Sequence, residues 1–329
     1  MRDVRELLAA IPELAAYERT ATRLHPRPGE VSAADSHVGG PLRWPAGEPW
    51  PTCDAPVFAM QDVPLPGDLV RRLRDAERQR VQRHVMTEEE VALHREIAAV
   101  VGPGYSGFGS VGGGPVVGRR FGERPHPRPN PLIPVAQLRA ADIPDLPRPG
   151  GADLLQVLWC PHLHAAGPTG PTVHLRWRCE ADLTGPFAEP PDGEPADDDL
   201  VPVPCRLHPQ RVVEYPFPQE LPDTIRSRVG AGYPGLALAP GWKVGGHADW
   251  SLTDLGETPC PRCAGPTDLL LVVDSKEYDG GTPDRWRLAD DPDPDEAREP
   301  TGVVVGRHGA LRVFVCLRCP DTPSLLDQQ

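Results

Sequence analysis

Four of the eight cysteines in this chain of 329 residues stand as two Cys-x-x-Cys pairs, Cys260-Pro261-Arg262-Cys263 and Cys316-Leu317-Arg318-Cys319. A Cys-x-x-Cys turn sets two thiolates on one side of a tight knuckle. Two such knuckles supply the four soft ligands of a tetrahedral structural zinc site. The gap between the pairs is longer than in a zinc ribbon. It closes if Leu269–Val273 and Val303–Cys316 are neighbouring strands that carry the chain back to its start. Pro259, Pro261 and Pro320 stiffen the turns. Four thiolates leave no open coordination position, so the predicted Zn2+ stabilises rather than catalyses. The rival chemistry is a redox dithiol. That group sits at a helix start in a βαβ setting, where its pKa falls, and neither pair has this context.

A second cluster is Cys160-Pro161-His162-Leu163-His164. Alternate strand residues share a face, so Cys160, His162 and His164 could hold a second, catalytic metal, with Cys205 or His208 added from elsewhere. The plainer reading is a buried cysteine followed by two loop histidines. Cys53 and Cys179 read as small core residues. Neither Ser106 nor Ser110 lies in a nucleophile elbow, because the flanking glycines are misplaced. No H-E-x-x-H, P-loop or EF-hand pattern occurs. Two overlapping G-x-G-x-x-G matches begin at Gly102 and Gly107. A dinucleotide site needs that motif between a strand and a helix. Here it follows a helical pattern, so Gly102–Gly114 reads as a flexible loop.

The elements that must position these groups show an internal echo. His37-Val38-Gly39-Gly40-Pro41-Leu42-Arg43-Trp44 and Lys243-Val244-Gly245-Gly246-His247-Ala248-Asp249-Trp250 share valine, both glycines and tryptophan at equal spacing. Each is followed later by an apolar strand pattern, Leu132–Leu138 or Leu269–Val273. Two copies of one unit predict a duplicated, pseudo-symmetric sheet, with the repeat around 36–160 and 241–319. If the copies face each other, His37, Trp44, Lys243 and Trp250 flank one groove and are candidate ligand-binding residues. Otherwise the tryptophans are core.

Around this core, Val4, Leu7, Leu8, Ile11 and Leu14 follow helical spacing across Pro12. They predict an N-terminal helical segment, 1–35, whose helices end near Leu24. Residues 64–130 read as a helical and glycine-rich insertion. Leu69, Val70 and Leu73 mark one helix, and Thr87 with Glu90 makes a capping box for a second. Val57–Val63, Asp153–Trp159, Thr172–Cys179, Arg211–Tyr215, Val303–Val305 and Leu311–Cys316 read as strands, and the last residues as frayed. The predicted fold is α+β, predominantly antiparallel β, with a duplicated core, an N-terminal helix and a helical insertion.

Ser36-His37-Val38-Gly39-Gly40 with its following Trp-Pro, Pro131–Leu138, Asp153–Val157, Lys243–Gly246, Leu269–Ser275, Gly280-Gly281 and Trp286 together resemble the YwqG-like family of bacterial proteins of unknown function. The resemblance runs from about Ser36 to about Cys319. It implies a mainly β, α+β fold and transfers no catalytic residue. The helical insertion and the cysteine pairs depart from shorter members.

Proline and glycine, 44 and 33 residues, make up nearly a quarter of the chain and favour strands and loops. The net charge is -13, and only Lys243 and Lys276 are lysines. An acidic chain without a clustered cationic patch is a poor partner for nucleic acid or an anionic membrane. No signal peptide or membrane span is expected, which favours the cytoplasm and reduced thiols. Together these readings predict a non-catalytic module that binds a protein or small-molecule ligand and carries one structural zinc. The alternative is an enzyme with a groove near His37 and Lys243, or a second metal near Cys160, His162 and His164.

Overall fold

The computed structural model describes residues 4–80, 85–110, 114–126, 128–164, 171–194, 198–278, 281–282, 284–289 and 297–329. In chain order the strands are β1 (Arg19–Arg23), β2 (Arg27–Pro28), β3 (His37–Val38), β4 (Thr52–Cys53), β5 (Val57–Pro64), β6 (Tyr105–Ser110), β7 (Val116–Arg124), β8 (Asn130–Pro131) and β9 (Ile133–Arg139). They continue with β10 (Leu154–Leu163), β11 (Pro171–Arg178), β12 (Cys205–Arg206), β13 (Gln210–Glu214), β14 (Lys243–Gly245), β15 (Asp268–Asp274), β16 (Ala310–Val315) and β17 (Ser324–Gln328). The α-helices are α1 (Val4–Ala10), α2 (Gly67–Arg80), α3 (Glu88–Val101), α4 (Asp223–Arg226) and α5 (Tyr233–Ala237). The fold is α+β and mainly antiparallel β.

The chain divides into two compact units. The smaller comprises Asp54–Arg128 with Leu163–Ala165. In it β7 pairs with β5 on one side and β6 on the other. The α2–α3 hairpin packs Leu69, Leu73, Leu93, Ile97 and Val101 into an apolar cluster with Val63, Phe108 and Val116. The capping box forms as predicted: Thr87 Oγ1 accepts from the Glu90 amide, and Glu90 accepts from the Thr87 amide. The glycine-rich stretch departs from the loop expected of it over Tyr105–Ser110, while residues 111–113 lie outside the described residues. Glycine weakens a strand's own preference, but cross-strand pairing overrides it, and Tyr105–Ser110 runs antiparallel to β7.

The larger unit holds two six-stranded sheets. Sheet A has the order β13-β1-β14-β15-β16-β17, and sheet B, read from its far edge, β2-β12-β3-β9-β10-β11. The two orders repeat one plan, and the registers agree residue by residue. Arg23↔Lys243 and Thr22↔Val244 in sheet A match Arg206↔His37 and Cys205↔Val38 in sheet B. Lys243↔Val272 and Val244↔Leu271 match His37↔Gln137 and Val38↔Ala136. Val272↔Arg312 and Leu271↔Val313 match Gln137↔Gln156 and Ala136↔Val157. Both ladders then slip at the same place, skipping Leu270 in one sheet and Val135 in the other. Such a bulge bends a strand at a defined point, so the two sheets bend alike.

The first strand of each half is exchanged. β1 lies between β13 and β14 of the second half, and β12 lies between β2 and β3 of the first. A sequence echo marks the exchange: Arg23-Leu24-His25-Pro26 and Arg206-Leu207-His208-Pro209 occupy equivalent turns. The Gly-Gly pairs follow β3 and β14. Gly39 and Gly245 have φ of 62° and 76°, a region that L side chains enter at a cost.

Several sequence expectations are corrected. The N-terminal helical stretch ends at Tyr17, and Arg19–Arg23 is a strand. Leu7, Ile11 and Leu14 still cap the core, packing with Trp250, Leu269 and Phe314 against sheet A. Val303–Val305 is not a strand. The last residues, expected to fray, form edge strand β17, paired from Leu311↔Gln328 to Val315↔Ser324. Cys179 is exposed rather than core. Gly280 lies outside the described residues.

Candidate metal centre

The turn 260–265 precedes β15, and Cys316 follows β16, so the antiparallel β15–β16 pair brings the two knuckles together. The four sulfurs of Cys260, Cys263, Cys316 and Cys319 all lie within 4.8 Å of one another. Cys260 Sγ is 4.0 Å from Cys319 Sγ, and Cys263 Sγ is 3.8 Å from Cys316 Sγ. A tetrahedral ion with metal–sulfur bonds of about 2.3 Å sets its sulfurs about 3.8 Å apart, whereas a disulfide needs about 2.05 Å. The spacing therefore fits an ion and not a covalent bridge, and all four cysteines are free of disulfides.

Backbone geometry holds each knuckle. The amides of Arg262 and Cys263 donate to Cys260 Sγ at 3.4 Å each. The Cys260 amide donates to the Gly265 carbonyl, and the Ala264 amide to the Cys260 carbonyl. Ala264 takes φ 54°, the left-handed residue that closes the turn. The Cys316 amide donates to the Pro323 carbonyl. Burial acts to raise the Cys316 thiol, but the amides of Arg318 and Cys319 and the neighbouring thiols overcome it and hold it at about 6. The Cys319 thiol is pushed up to about 12, first by burial and then by the surrounding thiols. An arginine stands third in each pair. Arg262 pairs with Asp321, and Arg318 donates to the Pro266 carbonyl at 3.1 Å and lies 4.0 Å from Cys263 Sγ. These two cations oppose the negative charge of a four-thiolate centre.

Of the other predicted site residues, His37 and Lys243 lie in strands of the two sheets, and Trp44 and Trp250 follow those strands as buried residues. His37 is fully buried in β3, its Nε2 3.0 Å from the Pro41 carbonyl. Burial lowers its pKa, partly offset by the Pro41 hydrogen bond and Asp35. Trp44 is buried against Leu132 and Leu158, and its Nε1 donates to the Glu48 carbonyl. Lys243 Nζ donates to Glu214 Oε1 at 2.6 Å and to the His247 carbonyl at 2.8 Å. Trp250 lies parallel to Phe314, with Arg312 over its ring. Lys243 lines a cavity of about 240 Å³ on sheet A, together with Asp249, Asp274, Lys276 and Arg312. His37 belongs to sheet B and Trp44 packs against Leu158 of that sheet, and neither lines this cavity.

At the second cysteine cluster, burial and then Cys53 push the Cys160 thiol up to about 12. His162 Nε2 is 3.8 Å from Glu194 Oε2. His164 lies beyond β10, with Nδ1 2.9 Å from the Pro56 carbonyl. Cys205 donates to the Pro300 carbonyl at 3.2 Å, away from that cluster.

Sequence reasoning missed a buried ionic group. Arg23 reaches Glu277, and His25 Nδ1 lies 2.8 Å from the same carboxylate. All three side chains are fully shielded. The duplicated Arg-Leu-His-Pro could have flagged it, but its ion partner is remote in sequence. No family model matches the chain, and no curated protein matches it. Among the described residues no helix is long and apolar enough to cross a membrane.

Proposed function

We infer that this chain is a non-catalytic binding module whose sheet A is clasped by one structural zinc at Cys260, Cys263, Cys316 and Cys319. The observation that carries the reading is the set of four sulfurs within 4.8 Å, at spacings that match a tetrahedral thiolate shell. Such a shell is closed to substrate, so the ion joins the turn before β15 to the end of β16. Zinc is favoured over iron or copper because it takes tetrahedral sulfur coordination without redox change in a reducing compartment. The order of the Gly-Gly, Leu132–Leu138 and Leu269–Ser275 stretches supports kinship with the YwqG-like family. The acidic charge of -13 favours a protein or small-molecule ligand over nucleic acid or an anionic membrane in the cytoplasm. Metal analysis of the purified chain tests the zinc. Cys260→Ser is expected to remove one equivalent and lower the melting temperature. A chain equally stable with this centre metal-free would sink the reading.

One observation favours a second reading, an enzyme with its groove beside Lys243. Asp274 lines that cavity, and burial pushes its carboxyl up to about 6, against opposing amide hydrogen bonds from Lys276 and Gly241. A carboxyl titrating there can exchange protons near neutrality. An NMR titration of Asp274 checks this, and an ordinary aspartate value would remove the second reading.

A further inference from the structure

At one pair of equivalent positions the two sheets carry opposite charges. Asp274↔Ala310 in sheet A matches Arg139↔Leu154 in sheet B, so Asp274 stands where sheet B has Arg139. Asp249 follows one Gly-Gly pair at the spacing by which Arg43 follows the other. The turns that carry them are held alike. Lys243 Nζ donates to the His247 carbonyl, and His37 Nε2 lies 3.0 Å from the carbonyl of Pro41, the residue at the same place. In sheet B the two arginines close on a carboxylate of the same chain. Arg43 Nη1 and Arg139 Nε both donate to Glu180 Oε1, and the Glu180 amide donates to Asp153 Oδ1. In sheet A the residue equivalent to Asp153 is Gly309, which has no side chain to offer. The Ser275 amide bonds the Gly309 carbonyl as the Ala140 amide bonds that of Asp153.

Sheet A leaves this place open. Asp249, Asp274 and Gly309 line the cavity of about 240 Å³ beside Lys243. That volume is below the range of drug-sized pockets, about 300–1,000 Å³, so its occupant is small. Asp249 accepts from the Ser251 amide, and Asp274 from the amides of Lys276 and Gly241. Neither carboxylate has an ion-pair partner among the described residues. Two cations of the lining are committed elsewhere, Lys243 to Glu214 and Arg312 to Asp327. Burial, then Glu277 and Asp249, push the Asp274 carboxyl up to about 6 against its amide hydrogen bonds, as befits a carboxyl short of a counter-charge. The same lining also holds donors. Lys276 makes no ion pair among the described residues, and Arg312, its side chain 1% exposed, has an Nε without a hydrogen-bond partner.

We propose that the sheet A cavity binds a small zwitterion of the amino-acid type, its ammonium or guanidinium between Asp249 and Asp274 and its carboxylate toward Lys276 and Arg312. The cationic end takes, with the signs reversed, the place that Glu180 takes in sheet B. Guanidinium and carboxylate match as planar forks in either order, so a guanidinium between two carboxylates reuses the chemistry of a carboxylate between two guanidiniums. An anion alone gains nothing from the aspartate pair, and a cation alone leaves the Lys276 and Arg312 donors unmet. The proposal rests on reading the chain as a non-catalytic binding module and names the ligand of that module. The four-cysteine centre plays no part in it, so the two are tested apart.

L-Arginine, methylguanidinium and acetate are titrated into the full-length, isotope-labelled protein. NMR follows the amides of Ser251 and Lys276, which bond the two carboxylates. Arginine and methylguanidinium are expected to shift both amides saturably, arginine binding about tenfold more tightly, and acetate to leave them in place. Asp249→Asn and Asp274→Asn should each weaken both cations about tenfold. Lys276→Met should lower arginine to the affinity of methylguanidinium. The wild-type titrations decide the matter without any variant having to fold. Saturable shifts with acetate alone, or none with either cation, overturn the proposal and leave the metal reading standing. Shifts with calcium at lower concentrations than with either cation overturn it in favour of a metal site. Arginine that binds and is recovered chemically altered upholds the site and overturns the non-catalytic reading instead.

Discussion

Sheets A and B share strand order, register and bulge, yet at equivalent positions they carry different chemistry. Lys243 in sheet A, ion-paired with Glu214, stands where sheet B has His37, bonded to a carbonyl. Arg312, which reaches Asp327, stands where sheet B has Gln156, bonded to Gln137. Arg23 is sealed against Glu277, while its equivalent Arg206 is exposed and donates to the Glu30 carbonyl. The shared features are backbone properties: a Gly-Gly turn, a bulge and a pairing register. The differing ones are side-chain pairs, and each needs only a local partner. Backbone architecture thus persists while the polar contents of the two cores vary independently, with sheet A holding more buried charge.

The largest expected contrast is between the two cysteine corners. Cys316→Ser should cost about 5 kcal/mol or more, as loss of a structural metal does, read as a drop in melting temperature and greater urea sensitivity. Cys160→Ser, at the equivalent position but outside any four-cysteine cluster, should cost less than half as much. Equal losses would break the ranking of the two corners. Next come Lys243→Met and His37→Met. The first strands Glu214 as an uncompensated buried carboxylate and should cost about 4 kcal/mol. The second removes one hydrogen bond from a histidine that burial disfavours charging, at about 1 kcal/mol. Chemical denaturation of both variants decides whether sheet A is the more charge-dependent.

A pH series sharpens the same point. Burial, then Arg19, lowers His247 from 6.5 to about 4 despite a hydrogen bond to the Tyr17 carbonyl. The unfolded chain therefore binds this proton between those values while the folded one does not. The contribution is fully present above pH 6.5 and is lost as pH falls towards 4, by about 3 kcal/mol at about 1.4 kcal/mol per pH unit. Asp274 opposes it: its raised value gives a contribution present below 3.8 and lost as pH rises through about 6. His247→Gln should flatten the acid limb of a stability–pH curve, and Asp274→Asn should steepen it. An unchanged curve in both would remove these two groups as the source of acid lability. The smallest effect concerns the paired turns. Gly245→Ala should cost about 1 kcal/mol from its positive φ. Gly39→Ala should cost more, because its added carbon would sit 2.5 Å from the Val203 carbonyl oxygen, while the nearest atom at Gly245 is 3.4 Å away. Thermal melts that rank them the other way would show that the turns are not equivalent.

Local signals made much of this legible in sequence. Helical spacing and the Thr87–Glu90 box located α2 and α3, apolar runs located β9, β10, β15 and β16, and the paired Cys-x-x-Cys pattern named four residues that the fold clusters. The Val-Gly-Gly echo pointed to matching turns. The strand exchange was not legible, because β12 and β2 are only two residues long and their pairing lies far away in the chain. The same distance hid Cys53 beside Cys160 and Arg23 beside Glu277. Side-chain type says what a residue can bond, but the register says with what. β17 was missed because its leucines alternate with no clear period, and pairing with β16 supplies what its own pattern lacks.

The exchange of β1 and β12 also bears on synthesis. As the chain leaves the ribosome, sheet B is without its inner strand until residues 205–206 emerge. β1 meanwhile waits for a partner that arrives only with residues 243–245. Neither half has a complete set of strands alone, so a nascent first half presents an open slot beside β3 and a loose strand from its own N-terminus. Two such halves on separate chains could fill each other's slots, so a truncated first half is expected to dimerise, with the intact chain sparing itself that fate by carrying its own complement.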